Sequence, residues 1–476
     1  MAQENLDFVN FSELASDSGL SQVDLKRIFE ALEQLKEMLV ASDLLMHEVL
    51  LRAQGESYDL PDDPKGEVEY GLTLYWIKHP PKKLSDIIEK MDIPEWLWAF
   101  IQKHSPTPQV TGDQYTFLLR KIKEDGVVAP DGTILGEGKY QQLDLDWLYA
   151  FGNYLLNIVY PKGIAPFGTQ PYTGNMIPGD NGKVRIMLIG DWGTGMYDEG
   201  GGFDPAREVI DRVNELKPDY LIHLGDVYYA GTQDRLPPAE EHDNFLKLWP
   251  EQLSPGRSFT LNSNHEMYGG ANGYFNIALG VNAKSPTPFQ HQNGTSYFAL
   301  NFGDWVIVGL DAAYHDPSSL YMEGSLGDKG KHPHQYQFLK KVTANAKKVL
   351  LLTHQTAMDT RGKKTLQLWK DVKDIVQPNY WYWGHIHLGL VYSDLSVLGK
   401  QGVKARCVGH SAIPFGEPWE LTQSDEVCWY AHTPADVPGN KNLCRNGFAM
   451  LTLGADGSIE EAFYETGNEK PVWRQY

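Results

Sequence analysis

Cysteine is scarce in this chain: only Cys407, Cys428 and Cys444 occur in 476 residues. So few, and an odd number, exclude a disulfide framework as the source of the fold. Cys428 and Cys444 are a conceivable pair, but reduced thiols are the expectation. Positive charge is also short. Lys and Arg total 42 against 62 Asp and Glu, a net charge of −20. That balance argues against a sequence-independent grip on nucleic acid, which needs basic surface. No apolar stretch approaches the length of a membrane span. The opening Met1-Ala2-Gln3-Glu4-Asn5-Leu6-Asp7 has no basic or apolar leader character, so a cytoplasmic protein is expected. No internal repeat or low-complexity segment stands out. At this length the chain can hold two or three domains and a large core.

What is present is concentrated in the second half. Five short stretches place acidic, amide or imidazole side chains at the end of an apolar run. They are Gly190-Asp191-Trp192-Gly193, Gly225-Asp226-Val227-Tyr228-Tyr229, Asn264-His265-Glu266, Thr353-His354-Gln355 and Gly384-His385-Ile386-His387. Asp oxygens, a neutral Asn carbonyl and several imidazoles form a set able to hold two metal ions about 3.5–4 Å apart, bridged by one carboxylate. The preceding runs Val184–Ile189, Tyr220–Leu224, Val349–Leu352 and Tyr380–Trp383 are almost continuously apolar and read as strands buried on both faces. Glycines then allow the chain to turn sharply. Ligands would gather on loops at one edge of a sheet, where open α/β folds place their sites. Read singly, each residue has a plainer role: Asp after Gly is a common turn former, and Tyr229 may be read as a packing aromatic, with Tyr228 beside it taking the ligand place or none.

This arrangement resembles the calcineurin-like metallophosphoesterases and, within them, the purple acid phosphatases. The general family carries Asp-x-His in its first motif; here the third position is Gly193, as in the Gly-Asp-x-Gly of the purple acid phosphatases. Their second motif, Gly-Asp-x-x-Tyr, matches Gly225 to Tyr229. Ser263 precedes Asn264 where the family usually has Gly, and serine can make the same turn. The resemblance covers roughly 183–465. It implies two metal ions per chain: iron held by Asp191, Asp226, Tyr229 and His387, and zinc, manganese or iron held by Asp226, Asn264, His354 and His385. His265 matches the family's substrate-contacting, proton-donating histidine.

The residue types suit that chemistry. A carboxylate such as Asp226 can share its oxygens between two cations, whereas Asn264 ligates without adding charge. The ions would lower the pKa of a bound water to about 7, and the resulting hydroxide would attack phosphorus. An imidazole such as His265 titrates near neutrality and suits protonation of the leaving oxygen. A phenolate at Tyr229 would suit a trivalent ion. Further candidates to contact phosphate are His291, His315, His332, His334, Arg361 and, after the fifth motif, His410; His315 and His410 are singled out as substrate-binding.

The expected organisation is a mainly α-helical N-terminal domain over 1–160, a Pro- and Gly-rich linker over 161–182, and a catalytic domain over 183–476. The last is an α/β metallophosphoesterase-type β-sandwich flanked by helices. Helices are expected from Ser21 through Leu39, over 84–103, over 144–159 and over Gln335–Ala346. A hairpin is expected around Pro130-Asp131-Gly132-Thr133, and another joins Phe448–Leu453 to Ile459–Tyr464. The N-terminal part reads as a cap or a module for homo-oligomerisation. The expected function is metal-dependent hydrolysis of a small phosphorylated substrate, with a monoester preferred. The alternatives are a phosphodiesterase acting on a nucleotide or lipid headgroup, and a metal-binding regulatory protein without turnover. The intact His265 favours turnover.

Overall fold

The computed structural model describes residues 126–476, apart from 130, 137, 143, 145, 148–149, 151–152, 155–156, 158–162, 200–201, 234–238, 251–252, 254–255, 282–285 and 439. The helices expected at 21–39 and 84–103, and the proposed oligomerisation role, lie outside the described residues. Among the described residues, no helix is long and apolar enough to cross a membrane.

Fourteen strands make two sheets. In chain order they are β1 (Tyr172–Asn175), β2 (Val184–Ile189), β3 (Tyr220–His223), β4 (Ser258–Thr260), β5 (Phe298–Phe302), β6 (Trp305–Gly309), β7 (Lys348–Thr353), β8 (Tyr380–Trp383), β9 (Gly389–Tyr392), β10 (Lys404–Val408), β11 (Val427–Tyr430), β12 (Gly447–Leu453), β13 (Ile459–Glu465) and β14 (Trp473–Gln475). The larger sheet runs β11-β9-β10-β8-β7-β6-β5-β1 and the smaller β14-β13-β12-β2-β3-β4. Strands β2, β3 and β4 are parallel, as are β6, β7, β8 and β10. The predicted terminal hairpin is β12–β13, antiparallel from Gly447 opposite Glu465 to Leu453 opposite Ile459.

The apolar runs are buried on both faces because each strand lies in the middle of three layers of packing. Along β7, Leu350 and Leu352 face the other sheet, whereas Val349 and Leu351 join the core under the helices. Along β8, Tyr380 and Tyr382 face inward between the sheets and Trp381 and Trp383 outward. Period-two alternation puts successive side chains on opposite faces. Helices α1 (Pro205–Leu216), α2 (Asn264–Tyr268), α3 (His334–Thr343) and α4 (Gln367–Lys373) complete the layers. Helix α1 begins with Asp204 accepting the Arg207 N–H and with Pro205 in its first turn, and it buries Val209, Ile210 and Val213. Helix α3 starts one residue before, and ends three before, the expected span.

Two expectations about organisation change. The 161–182 stretch is not merely a connector: Tyr172–Asn175 pairs in parallel with Phe298–Phe302 as an edge strand. An edge position tolerates its Gly and Asn, because one side of the strand needs no partner. The boundary near 160 is not a break in packing either. Val127–Val128 and Ile134–Leu135 form a short antiparallel pair, and Trp147, Ala150, Asn153, Tyr154 and Asn157 are helical. Several of these residues pack on the domain that follows.

One polar cluster ties the sheets together. Arg406 on β10 donates to Glu461 on β13 through Nε (2.8 Å) and Nη2 (3.0 Å). Nη2 also reaches Gln475 at 3.1 Å, and the Tyr382 hydroxyl donates to Glu461. Both members of the pair are buried. Removing one partner would leave a buried unpaired charge, which costs about 3–5 kcal/mol. Glu461→Ala should therefore lower stability by about that amount, whereas the apolar pair Arg406→Met with Glu461→Leu should lose far less. Denaturant unfolding of the two variants checks this.

Candidate metal centre

All five motifs lie just past the carboxyl ends of parallel strands: Asp191 after β2, Asp226 after β3, Asn264 after β4, His354 after β7, and His385 and His387 after β8. Side chains 196 residues apart in sequence thus share one edge. The turns that bring them there are tight. A Cβ on Gly190 would lie 2.2 Å from the Val408 carbonyl oxygen, and one on Gly384 would lie 2.5 Å from Asp191 Oδ2. Asp191 (φ 56°), Asp226 (φ 79°) and His385 (φ 67°) all sit in the left-handed region. Non-glycine residues tolerate it only where the surroundings impose it.

The donor atoms form two groups around one carboxylate. On one side, Asp226 Oδ1 is 3.1 Å from His354 Nε2, which is 2.9 Å from Asn264 Oδ1. His385 Nδ1 is 3.2 Å from that Asn oxygen and 3.3 Å from His354 Nε2. On the other side, the Tyr228 hydroxyl is 2.9 Å from Asp226 Oδ2, 3.2 Å from Asp191 Oδ1 and 3.2 Å from His387 Nε2. His387 Nε2 is 3.5 Å from Asp191 Oδ1. Asp191, Asp226 and His387 each offer an atom within 4.8 Å of the other two. Atoms ligating one ion at about 2.0–2.2 Å stand about 3 Å apart, so both groups have the spacing of a ligand set.

The hydrogen bonds around these groups orient them. His354 Nδ1 donates to the Leu224 carbonyl at 3.0 Å, leaving Nε2 as a lone pair toward Asn264. The Asn264 amide donates to the Tyr268 hydroxyl at 3.0 Å, which turns its oxygen inward. The His385 backbone N–H donates to Asp191 Oδ2 at 2.9 Å. Ser263, whose backbone is extended, accepts the His265 N–H at 3.1 Å and also contacts Asp226 and Glu266. It therefore does more than make the turn expected of it.

Burial dominates the electrostatics. It lowers His385 to about 3, aided by His354, and His387 to about 4. Both are thus neutral imidazoles, the form that binds a cation. Burial and then repulsion from Asp226 push Asp191 well above the usual carboxylate range. Burial also acts against a charged Asp226, but the imidazoles of His265 and His354 outweigh it and hold this carboxyl well below that range. Two carboxylates this close cannot both remain charged without a cation between them. The donor set, oxygens and neutral imidazoles, fits divalent or trivalent first-row ions.

His265 lies beside the centre. Its Nδ1–H donates to the Tyr229 carbonyl at 2.7 Å, so Nε2 faces Asp226 Oδ2 across 3.7 Å. Its ring packs on Tyr228 at 4.5 Å, Tyr268 at 4.9 Å and Trp147 at 5.5 Å.

Three sequence expectations need correction. Tyr229 is not in the cluster: its hydroxyl donates to Asp144, and its ring packs against Tyr140 and Trp147. Tyr228 stands in its place, because adjacent residues point in different directions and the turn sends only one phenol inward. His410, expected to bind substrate, is fully buried, with neither ring nitrogen hydrogen-bonded. Gly389 and Gly447 leave room for its ring, each placing a would-be Cβ within 2.6 Å of it. His315 stacks on His332 at 3.9 Å and packs on Phe167 and Tyr314, none of which belongs to the cluster. Of the remaining candidates, His291 packs on Tyr172 and Phe259, and Arg361 pairs with Glu420 at 2.9 Å. Sequence reading missed Tyr140, Asp144 and Trp147. Their only signal was the apolar helical pattern after Asp144.

Residues 184–389 match the family model of the calcineurin-like phosphoesterases. Among solved structures, the chain is similar to a purple acid phosphatase isolated from yellow lupin (Lupinus luteus) seeds. The two are 14% identical, with a TM-score of 0.38, over 63% of this chain and 54% of that one. The match thus spans about half the length of the lupin protein. No curated protein sequence matches this chain.

His410 offers a test of burial that is separate from the centre. Burial lowers its pKa from 6.5 to about 3. A depressed histidine contributes stability that is present above 6.5 and lost as pH falls toward the folded value. The acid-side loss of thermal stability should be smaller in His410→Asn than in the parent. Melting curves across that range check this, and identical pH profiles would count against a neutral buried His410.

Proposed function

We propose that this chain hydrolyses phosphate esters, with monoesters preferred, at a centre of two metal ions bridged by Asp226. The observation that carries this reading is the division of donors around one carboxylate: Oδ1 meets His354, which in turn meets Asn264, and Oδ2 meets Tyr228. Asp191, Asp226, Tyr228 and His387 would hold the first ion, and Asp226, Asn264, His354 and His385 the second. The phenol and two carboxylates of the first set suit iron(III), whereas the two imidazoles and amide of the second suit zinc, manganese or iron(II). When bound, the ions supply a Lewis acid for the phosphoryl oxygens and an acidified water as nucleophile.

The chain's own residues do the rest. His265 is fixed through Nδ1, so Nε2 is the atom that exchanges a proton with the leaving oxygen. Tyr228, Tyr268 and Trp147 pack around its ring and limit its rotation. Asn264 adds no charge to the second set, which keeps the site attractive to an anionic ester. The substrate class that fits is a small phosphorylated molecule, since the chain's excess of acid offers no broad anion-binding surface.

Asp226→Asn should lose most of the bound metal and nearly all turnover of an aryl phosphate. Two metals per chain and near-parental turnover in that variant would sink the bridged-pair reading. His265→Ala should keep its metals and lose about 10²–10⁴-fold in rate on esters with poor leaving groups. The loss should be much smaller when the leaving group needs no proton. Rates across a series of leaving groups, measured beside metal content, decide this.

A further inference from the structure

Two adjacent tyrosines take different places at the first ion set, and one of them is bonded to a residue ahead of the family-matched segment. The Tyr228 hydroxyl lies among Asp191, Asp226 and His387, whereas the Tyr229 hydroxyl, on the next residue, donates to Asp144. We propose that Asp144 is a positioning residue for the metal centre: by tethering the Tyr229 hydroxyl it fixes the turn that leaves Tyr228 as the phenol facing the first ion. This inference rests on the two-ion reading above.

Asp144 is itself held firmly. One oxygen, Oδ1, accepts the Asp146 N–H at 3.1 Å, as expected of a residue capping the helix that carries Trp147. The other oxygen, Oδ2, accepts the Tyr140 N–H at 2.8 Å as well as the Tyr229 hydroxyl. Capping thus uses one oxygen and tethering the other. The surrounding groups reinforce the arrangement. Tyr140 packs on Tyr229 at 4.7 Å and donates its hydroxyl to the Thr194 carbonyl at 2.6 Å, three residues past Asp191. Trp147 lies edge-on to Tyr229 at 4.9 Å. Farther along the helix, the Tyr154 hydroxyl accepts the Leu320 N–H at 3.1 Å, and Asn157 donates to the Tyr268 carbonyl. Trp147, Ala150, Tyr154 and Asn157, which face the domain, are three, four and three apart, the spacing of one helix face.

The Tyr229 backbone extends the effect. Its N–H donates to the buried Glu240 carboxylate at 2.7 Å, and its carbonyl accepts from His265 Nδ1 at 2.7 Å. Side chain, N–H and carbonyl are each tied to a different element. Without Asp144, a buried hydroxyl would lose its acceptor, and Tyr229 would lose one of its three ties.

The test uses the full-length chain stripped of metal and titrated with cobalt(II), whose visible bands report the ligand set whichever ion is native. Parent protein should take up two cobalt ions. Asp144→Ala should weaken the first site selectively, by about 10–100-fold, and shift its visible bands, the size of effect expected when a partner of a ligand is lost. Asp144→Asn should stay near the parent, because an amide oxygen still accepts the hydroxyl and still caps the helix. Tyr229→Phe removes the tether without touching the cap and should reproduce the Asp144→Ala change even if that variant folds poorly. Parental cobalt affinity and bands in both Asp144→Ala and Tyr229→Phe would overturn the role of Asp144, as would equal weakening of both sites. A parent that binds no second cobalt would overturn the two-ion reading and this inference with it.

Discussion

The buried carboxylate of Asp226 is the constraint around which the site is arranged. Its two oxygens face two different donor groups, so its position must satisfy both at once. Even with the Tyr228 and Ser263 hydroxyls beside it, a buried carboxylate next to a second carboxyl is costly unless positive charge is present. The fold meets that cost with His354 at one oxygen, His265 facing the other, and a geometry suited to cations on both sides. It also accepts backbone strain there, since Asp226, Asp191 and His385 all take left-handed conformations.

Parallel strands make such convergence possible. Each strand of a parallel set ends at the same edge, so the loops after β2, β3, β4, β7 and β8 deliver their side chains to one place. The two sheets must also hold their mutual position, because one ligand group draws on both. Asp191, Asp226 and Asn264 come from the smaller sheet, and His354, His385 and His387 from the larger. The buried Arg406–Glu461 pair, with Tyr382 and Gln475, links the sheets across their apolar interface. Hydrogen bonds are directional where dispersion is not, so this cluster sets register as well as distance.

Tyr140, Asp144 and Trp147, ahead of the matched segment, belong to the same physical unit as the site. Tyr140, Asp144 and Trp147 line the aromatic cluster around Tyr228, Tyr229 and His265. An aromatic cluster of this kind excludes water from one side of the histidine ring. It also means that these three residues and the motif residues are packed together, although nothing in their sequence spacing connects them.

Much was legible in the sequence, because strand periodicity and turn chemistry act locally. An apolar run ending in glycine followed by Asp or His specifies a buried strand and a ligand at its tip, wherever the strand lies in the sheet. That reasoning placed Asp191, Asp226, Asn264, His354, His385 and His387 just past strand ends, which the structure divides between two sheets, and it found the two strands of the terminal hairpin. What the sequence left open was direction. Tyr228 and Tyr229 differ by one position, and only packing against Asp144 and Tyr140 decides which hydroxyl turns inward. His410 read as a substrate contact after the fifth motif, yet Gly389 and Gly447 open a space that takes its ring into the interior. His315 followed a strand as well and stacked on His332 instead. The chain by itself determined which loops could carry the chemistry; the tertiary structure decided which side chains on them face the centre, because that choice depends on contacts between segments far apart in sequence.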